Sequence, residues 1–234
     1  MPLPPSSPPA DAVRPVLARL AALALGALPA LPCQATGGHH AVDDAAILEP
    51  GQCQLELWNE QARDRQLHYL GPGCHLFGVE LGLNLTRNSP RGEAVQRSGG
   101  LQLKWAREWL PGLGAGLVWS ATWQNQAPRY AGQTLLIPLS WQPRQDLTLH
   151  LNLGRDFRRR EPDQTRRGVA LEWQPHERWQ GLVEWFDDGQ HAQRRVGLRH
   201  FFNENFSLDV SRAQALPRPG ESWWTLGLNW VSSR

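Results

Sequence analysis

Outside its first forty residues, the chain has no apolar run near the roughly 18 residues that a membrane-spanning helix needs. Any crossing of a bilayer therefore falls to strands. Formal charge is only +2, from 24 Lys and Arg against 22 Asp and Glu, which argues against a general nucleic-acid surface. The barrel region has no Gly-x-Ser-x-Gly, no His-Glu-x-x-His and no phosphate loop, so the common signatures of hydrolases, metalloproteases and nucleotide enzymes are missing. Cysteine is scarce at three, methionine occurs once and tyrosine twice. Against these absences stand 12 tryptophans, more than core packing asks for, since Leu, Ile and Phe fill a core equally well. With 41% hydrophobic and 20% charged residues in 234, the chain lies outside the disordered class and suits one large all-β domain or two small ones.

The N-terminus reads as an export signal over residues 1–35. In "VRPVLARLAALALGALPALPCQA", Arg14 and Arg19 precede the apolar stretch from Leu20 to Leu31, and Cys33 and Ala35 occupy the −3 and −1 positions of a cleavage site. The Pro-rich "MPLPPSSPPADA" ahead of it places a natural start near Val13. Cleavage after Ala35 leaves Cys53 and Cys74 in an oxidising compartment, where pairing is expected.

From Gln52 onward the pattern is one of strict alternation. "DLTLHLNLGRDF" sets Leu147, Leu149, Leu151 and Leu153 on one face of an extended strand, with Thr148, His150 and Asn152 on the other. The same pattern recurs in up to twelve segments, at 52–60, 65–71, 74–87, 95–109, 112–124, 133–142, 146–157, 166–174, 178–187, 192–202, 205–213 and 222–231. From the third segment on, the connections alternate between long and polar ("NSPRGEA", "NQAPRYAG", "RRREPDQTR") and short ("LPG", "QPRQ", "QPHE", "NEN"). This is the rhythm of a membrane barrel with short periplasmic turns and longer outer loops. Tryptophan positions agree. Trp105, Trp109, Trp141, Trp173, Trp179 and Trp230 fall at the short-turn edge, and Trp119, Trp123, Trp185, Trp223 and Trp224 toward the other, as two interfacial belts.

These features make residues 52–234 resemble Gram-negative outer-membrane β-barrel proteins. The last segment, "WWTLGLNW", is similar to the C-terminal signal read by the barrel-insertion machinery, with Gly227, Leu228 and Trp230 in alternation, although the chain continues through "VSSR". The expected fold is all-β: a closed antiparallel up-and-down transmembrane barrel of about twelve strands, ten at the least. The location implied is the outer membrane of a Gram-negative bacterium, with its lipids, the insertion machinery and a small solute as partners.

Parity then names the lumen. Glu56, His68, Glu80, Lys104 and His150, with Glu172, Glu184, Arg195, Arg199 and Asp209, alternate with apolar residues and should project inward, pairing across the interior. Inward glycines such as Gly114 and Gly168 should make room for them. Residues 36–51 form a periplasmic lead or a lumen plug. Within them His39, His40, Asp43 and Asp44 offer a ligand set for a divalent metal; no other cofactor is expected. His150 is the one candidate base, with Ser120 and Ser140 on the two preceding strands, but lumen groups do not meet lipid, so catalysis is not expected. A narrow pore or binding protein for a small solute is the leading expectation. A lipid-modifying enzyme and a plugged structural barrel that binds metal through its N-terminal segment are the alternatives.

Overall fold

Residues 40–217 and 219–232 are described in a computed structural model. The proposed signal segment and His39 lie outside them. Twelve strands follow in order: β1 (Cys53–Ala62), β2 (Arg65–Leu76), β3 (Val79–Pro90), β4 (Gln96–Leu110), β5 (Leu113–Gln124), β6 (Tyr130–Arg144), β7 (Leu147–Arg158), β8 (Gln164–His176), β9 (Trp179–Asp187), β10 (Ala192–Asn203), β11 (Phe206–Leu216) and β12 (Ser222–Val231). Each pairs antiparallel with its neighbours in sequence, and β1 pairs with β12, with Leu57 opposite Leu228, to close the barrel. Closure leaves no strand edge, which a sheet in hydrocarbon requires. No helix occurs among the described residues.

One rim carries both barrel ends and five two-residue turns, at 77–78, 111–112, 145–146, 177–178 and 204–205. One of them, Phe77–Gly78, has positive φ at both positions (54° and 83°), as a two-residue hairpin that follows the strand twist requires. The opposite rim carries connections of two to five residues. Such loops are too short to fold back and block the interior. The two rims are called the turn rim and the loop rim below.

Strand boundaries agree with the sequence pattern within a few residues except early in the chain. There the expected second segment, 65–71, runs on through Gly71-Pro72-Gly73 to Leu76, and β3 starts at Val79. "GPG" is therefore part of β2 and not a turn. Pro72 reads as a breaker, yet the ladder of β2 with β3 skips it, resuming at Gly73 opposite Gly82 after Leu70 opposite Leu85. Cys53 and Cys74 face each other across β1 and β2 at the turn rim and form a disulfide, with Cα atoms 4.0 Å apart. The expected bond is present, but it joins directly opposed residues of adjacent strands.

Side chains sort by parity. In β7, Leu151 and Leu153 are exposed on the outer wall while His150 and Asn152 are buried inside. Trp105, Trp123, Trp141, Trp173, Trp224 and Trp230 lie exposed on the outer face, and Trp119 and Trp185 share it half-buried. At the turn rim the Trp173 indole N–H donates to Asp146, tying the belt to a turn. The Arg144 guanidinium, bonded to Asp146, holds that carboxyl below the ordinary carboxylate range. Trp223, expected in the belt, instead faces the lumen with the Arg65 guanidinium over its ring. Because Leu151 sits mid-strand on the lipid side, Leu151→Arg is expected to destabilise the folded barrel by about 2–4 kcal/mol, and Arg at the lumen position Ser120 by less. Denaturant titration in lipid vesicles measures both; equal costs would contradict the orientation.

Candidate functional site

Nine of the ten expected lumen residues project inward; His68 does not. Trp58 and Tyr69 are opposite each other and stack inside the barrel, with ring centroids 4.4 Å apart, and this fixes the face of every other residue on β1 and β2. His68, adjacent to Tyr69, pairs with Asn59 on the outer face. The sequence misleads here because two large aromatic residues take lumen positions, so polar no longer means inward.

What fills the lumen is the chain itself. Residues 40–51 enter past the turn rim and run through that half of the barrel as a single irregular segment. Its backbone is satisfied by wall side chains, as buried amides must be. Leu48 N–H donates to Glu80 at 3.1 Å and Ala45 N–H to Ser140 Oγ at 2.8 Å. Asp43 N–H donates to Asn152 Oδ1, and the Asn152 amide returns a bond to Asp43 O, both at 2.7 Å. Ala41 and Val42 N–H both donate to the Glu184 carboxylate, at 3.0 and 3.1 Å, which Arg195 also holds at 3.1 Å. The segment also has apolar anchors: Val42 packs on Ala170, Leu182 and Phe186, and Leu48 is buried as well.

Lys104 is the electrostatic centre. Its ammonium lies 2.7 Å from both Asp43 and Asp44, and only 5% of the residue is exposed. Two carboxylates of the segment thus meet one buried wall cation. Other polar groups pair along the wall: the charges of Arg199 and Asp209 on adjacent β10 and β11 and of Arg195 and Glu184 on β10 and β9, and the His150 imidazole with Glu172 on β7 and β8. Pairing between strands that are not neighbours is seen for Arg195 with Glu60 on β1, at 3.4 Å. Gly114 and Gly168 make room for the segment: a Cβ at Gly114 would stand 3.0 Å from Ala45 O, and one at Gly168 would stand 2.6 Å from Val42 Cγ2.

Of the expected metal set, His39 lies outside the described residues, and the other three face cations. Asp43 and Asp44 face the Lys104 ammonium, and the Arg199 guanidinium lies 3.3 Å from His40 Nε2. A divalent ion would meet two cations among these residues. The hydrolase-like elements do come together, since Ser140 is opposite His150 in the β6–β7 ladder: Ser140 Oγ is 2.7 Å from His150 Nδ1, and Glu172 is 3.4 Å from Nε2. Yet Ser140 already accepts the Ala45 amide, and the row lies buried beneath the segment. In this arrangement it anchors the backbone. Ser120, the other candidate, faces the cavity above.

Toward the loop rim the lumen stays open. A cavity of about 850 Å³ has Asp43 and Asp44 in its floor and Trp58, Tyr69, Phe186 and Trp223 in its wall, with Glu60, Arg65 and Arg195 among them. Arg65 bridges Glu60 at 2.9 Å and Glu221 at 3.1 Å. The inward parity of Asn152 and Ser140 is visible in the sequence; that a backbone segment seeks them is not.

Sequence comparison now places the chain. A family described as "Uncharacterised conserved protein UCP029691" matches residues 24–231. The chain belongs to this family. No curated protein matches it in sequence. In structure it is similar to a KdgM porin, with a TM-score of 0.60 at 10% identity over 77% of this chain and 99% of that one. A NanC porin aligns with a TM-score of 0.56 at 10% identity over 76% and 98% of the two chains. The COG4313 outer membrane channel from Pseudomonas putida F1 aligns with a TM-score of 0.55 at 12% identity over 82% and 99%. The family member described here thus has the fold of outer-membrane β-barrels.

Proposed function

We propose that the barrel is a narrow channel for small polar solutes in the outer membrane of a Gram-negative bacterium, gated by residues 40–51. The loop rim faces outward and the turn rim the periplasm, and the insertion machinery and surrounding lipids are its other partners. The carrying observation is the division of the lumen: an outer vestibule of about 850 Å³ ends on a floor made by the chain's own N-terminal segment. Loops of two to five residues leave the segment as the element that closes the path. It makes no strand ladder with the wall, and the polar contacts that satisfy its backbone are ones that water can replace when it leaves. The fold shared with porins, one of them determined in complex with disordered oligogalacturonate, supports the reading.

Liposome swelling tests it. Vesicles carrying the barrel are expected to swell in a neutral monosaccharide, faster when the segment is deleted, and to exclude large dextrans. Swelling no faster than in protein-free vesicles, with and without the segment, would contradict a channel.

A further inference from the structure

The outer wall carries a second feature, and it concerns lipid, not the lumen. Near the loop rim, Asn59, His68, Arg87 and Arg97 form one row across β1, β2, β3 and β4, each directly opposite the next. Asn59 Nδ2 donates to Leu67 O at 3.3 Å and lies 3.0 Å from His68 Nδ1. With Nδ1 thereby the acceptor, the His68 proton sits on Nε2 and remains available to an acceptor outside. Arg87 and Arg97 are both exposed, and directly opposed strand residues have Cβ atoms about 4.5–5.5 Å apart, where like charges repel. Neither makes an ion pair among the described residues. Other rim arginines do: Arg155 with Asp163 at 3.2 Å and Arg167 with Asp187 at 2.9 Å.

Directly below this row lies a groove of about 510 Å³ on the lipid face, walled by Leu57, Leu70, Leu85, Leu208, Leu226 and Leu228 and bordered by Asn59, His68 and Arg87. An apolar trough in the hydrocarbon band that ends on the Arg87 guanidinium and an imidazole N–H, with the Arg97 guanidinium directly opposite Arg87 on the next strand, has a specific complement. We propose that this face binds a lipid with a phosphorylated headgroup, its acyl chain in the leucine groove and its phosphate between Arg87 and Arg97. Guanidiniums are suited to the role because their planar fork binds phosphate oxygens bidentately. A bound phosphate also removes the repulsion between the two arginines. Free phosphate would leave the groove unfilled, and an uncharged lipid would leave the arginines unpaired.

Native mass spectrometry of the full barrel in non-ionic detergent tests this with three probes: dioleoyl phosphatidic acid, dioleoylglycerol and inorganic phosphate. The barrel is expected to retain phosphatidic acid at concentrations where dioleoylglycerol is lost. Arg87→Gln with Arg97→Gln should weaken retention at least about tenfold, whereas Arg155→Gln should leave it unchanged. Leu85→Trp, which fills the groove and keeps both charges, should weaken it as well. All these positions lie on the outer surface, so lumen and N-terminal segment stay intact whichever way the channel reading falls. Equal retention of dioleoylglycerol, undiminished retention by the arginine double variant, or displacement of the lipid by millimolar inorganic phosphate would overturn the proposal.

Discussion

Deleting residues 40–49 is expected to turn a nearly silent barrel into a steadily conducting one, with single-channel current ~10-fold above that of the full chain, because pore cross-section and lining set conduction. The expectation rests on what remains. Without the segment, Arg199 keeps Asp209, Arg195 keeps Glu184 and His150 keeps Glu172, all on neighbouring strands and therefore along the wall. Lys104 keeps Glu80 opposite it in the β3–β4 ladder. A twelve-stranded barrel is wider than the roughly eight-stranded case that its own side chains fill, so a water path should open from the vestibule to the turn rim. The disulfide between Cys53 and Cys74 lies beyond the deletion and holds the start of β1 in place. Planar-bilayer recordings of the two proteins at matched salt measure the ratio.

Lys104→Met should release the same segment without deleting it. Removing one partner of a buried charge pair costs about 3–5 kcal/mol, since the remaining charge is stranded in a low-dielectric site. Here two carboxylates, Asp43 and Asp44, lose their ammonium, with Glu80 close by. The wall cannot avoid that cost, but the segment can, by leaving the lumen and hydrating both aspartates. The barrel's thermal stability should therefore change little, while the docked-to-released ratio of the segment falls by about two to three orders of magnitude. Proteolysis from the turn-rim side should then cut within residues 40–51, which should be protected in the unaltered chain. Adding Asp43→Asn and Asp44→Asn to Lys104→Met should restore much of the protection, because neutral amides tolerate the site better than unpaired carboxylates. Protection unchanged in Lys104→Met would show that the ion pairs do not hold the segment.

The barrel was legible in the sequence because its signals are local and repeated. "DLTLHLNLGRDF" gives its facing by alternation alone, and the short turns gave topology and rim. The misreadings occurred where a local rule met a long-range fact. Gly71-Pro72-Gly73 breaks a pattern but not a strand, because β1 still pairs through it from Cys53 to Leu57. The pattern assigns His68 and Trp223 to the wrong faces because Trp58, Tyr69 and Trp223 line the vestibule, and polarity marks a lumen position only when the lumen is polar throughout. The lumen charges were legible by residue number but not by partner. Lys104 reads as half of a wall pair until a segment sixty residues earlier in the chain brings Asp43 and Asp44 to it. The same holds for Ser140, His150 and Glu172: three strands supply them, and the Ala45 amide decides what the serine does.

The central claim is that the N-terminal segment is a displaceable gate in an otherwise open barrel. A reversible lock tests it most directly. A Cβ at Gly168 would lie 2.6 Å from the Val42 side chain, so Val42→Cys with Gly168→Cys places two thiols within disulfide range. In the Lys104→Met background, where the segment is otherwise released, single-channel recordings should show the oxidised Val42→Cys/Gly168→Cys protein shut and the same molecules conducting after reductant is added, with the Lys104→Met barrel under the same reductant as the reference for the native disulfide. Equal current before and after reduction, with the engineered bond verified by mass spectrometry, would contradict the account.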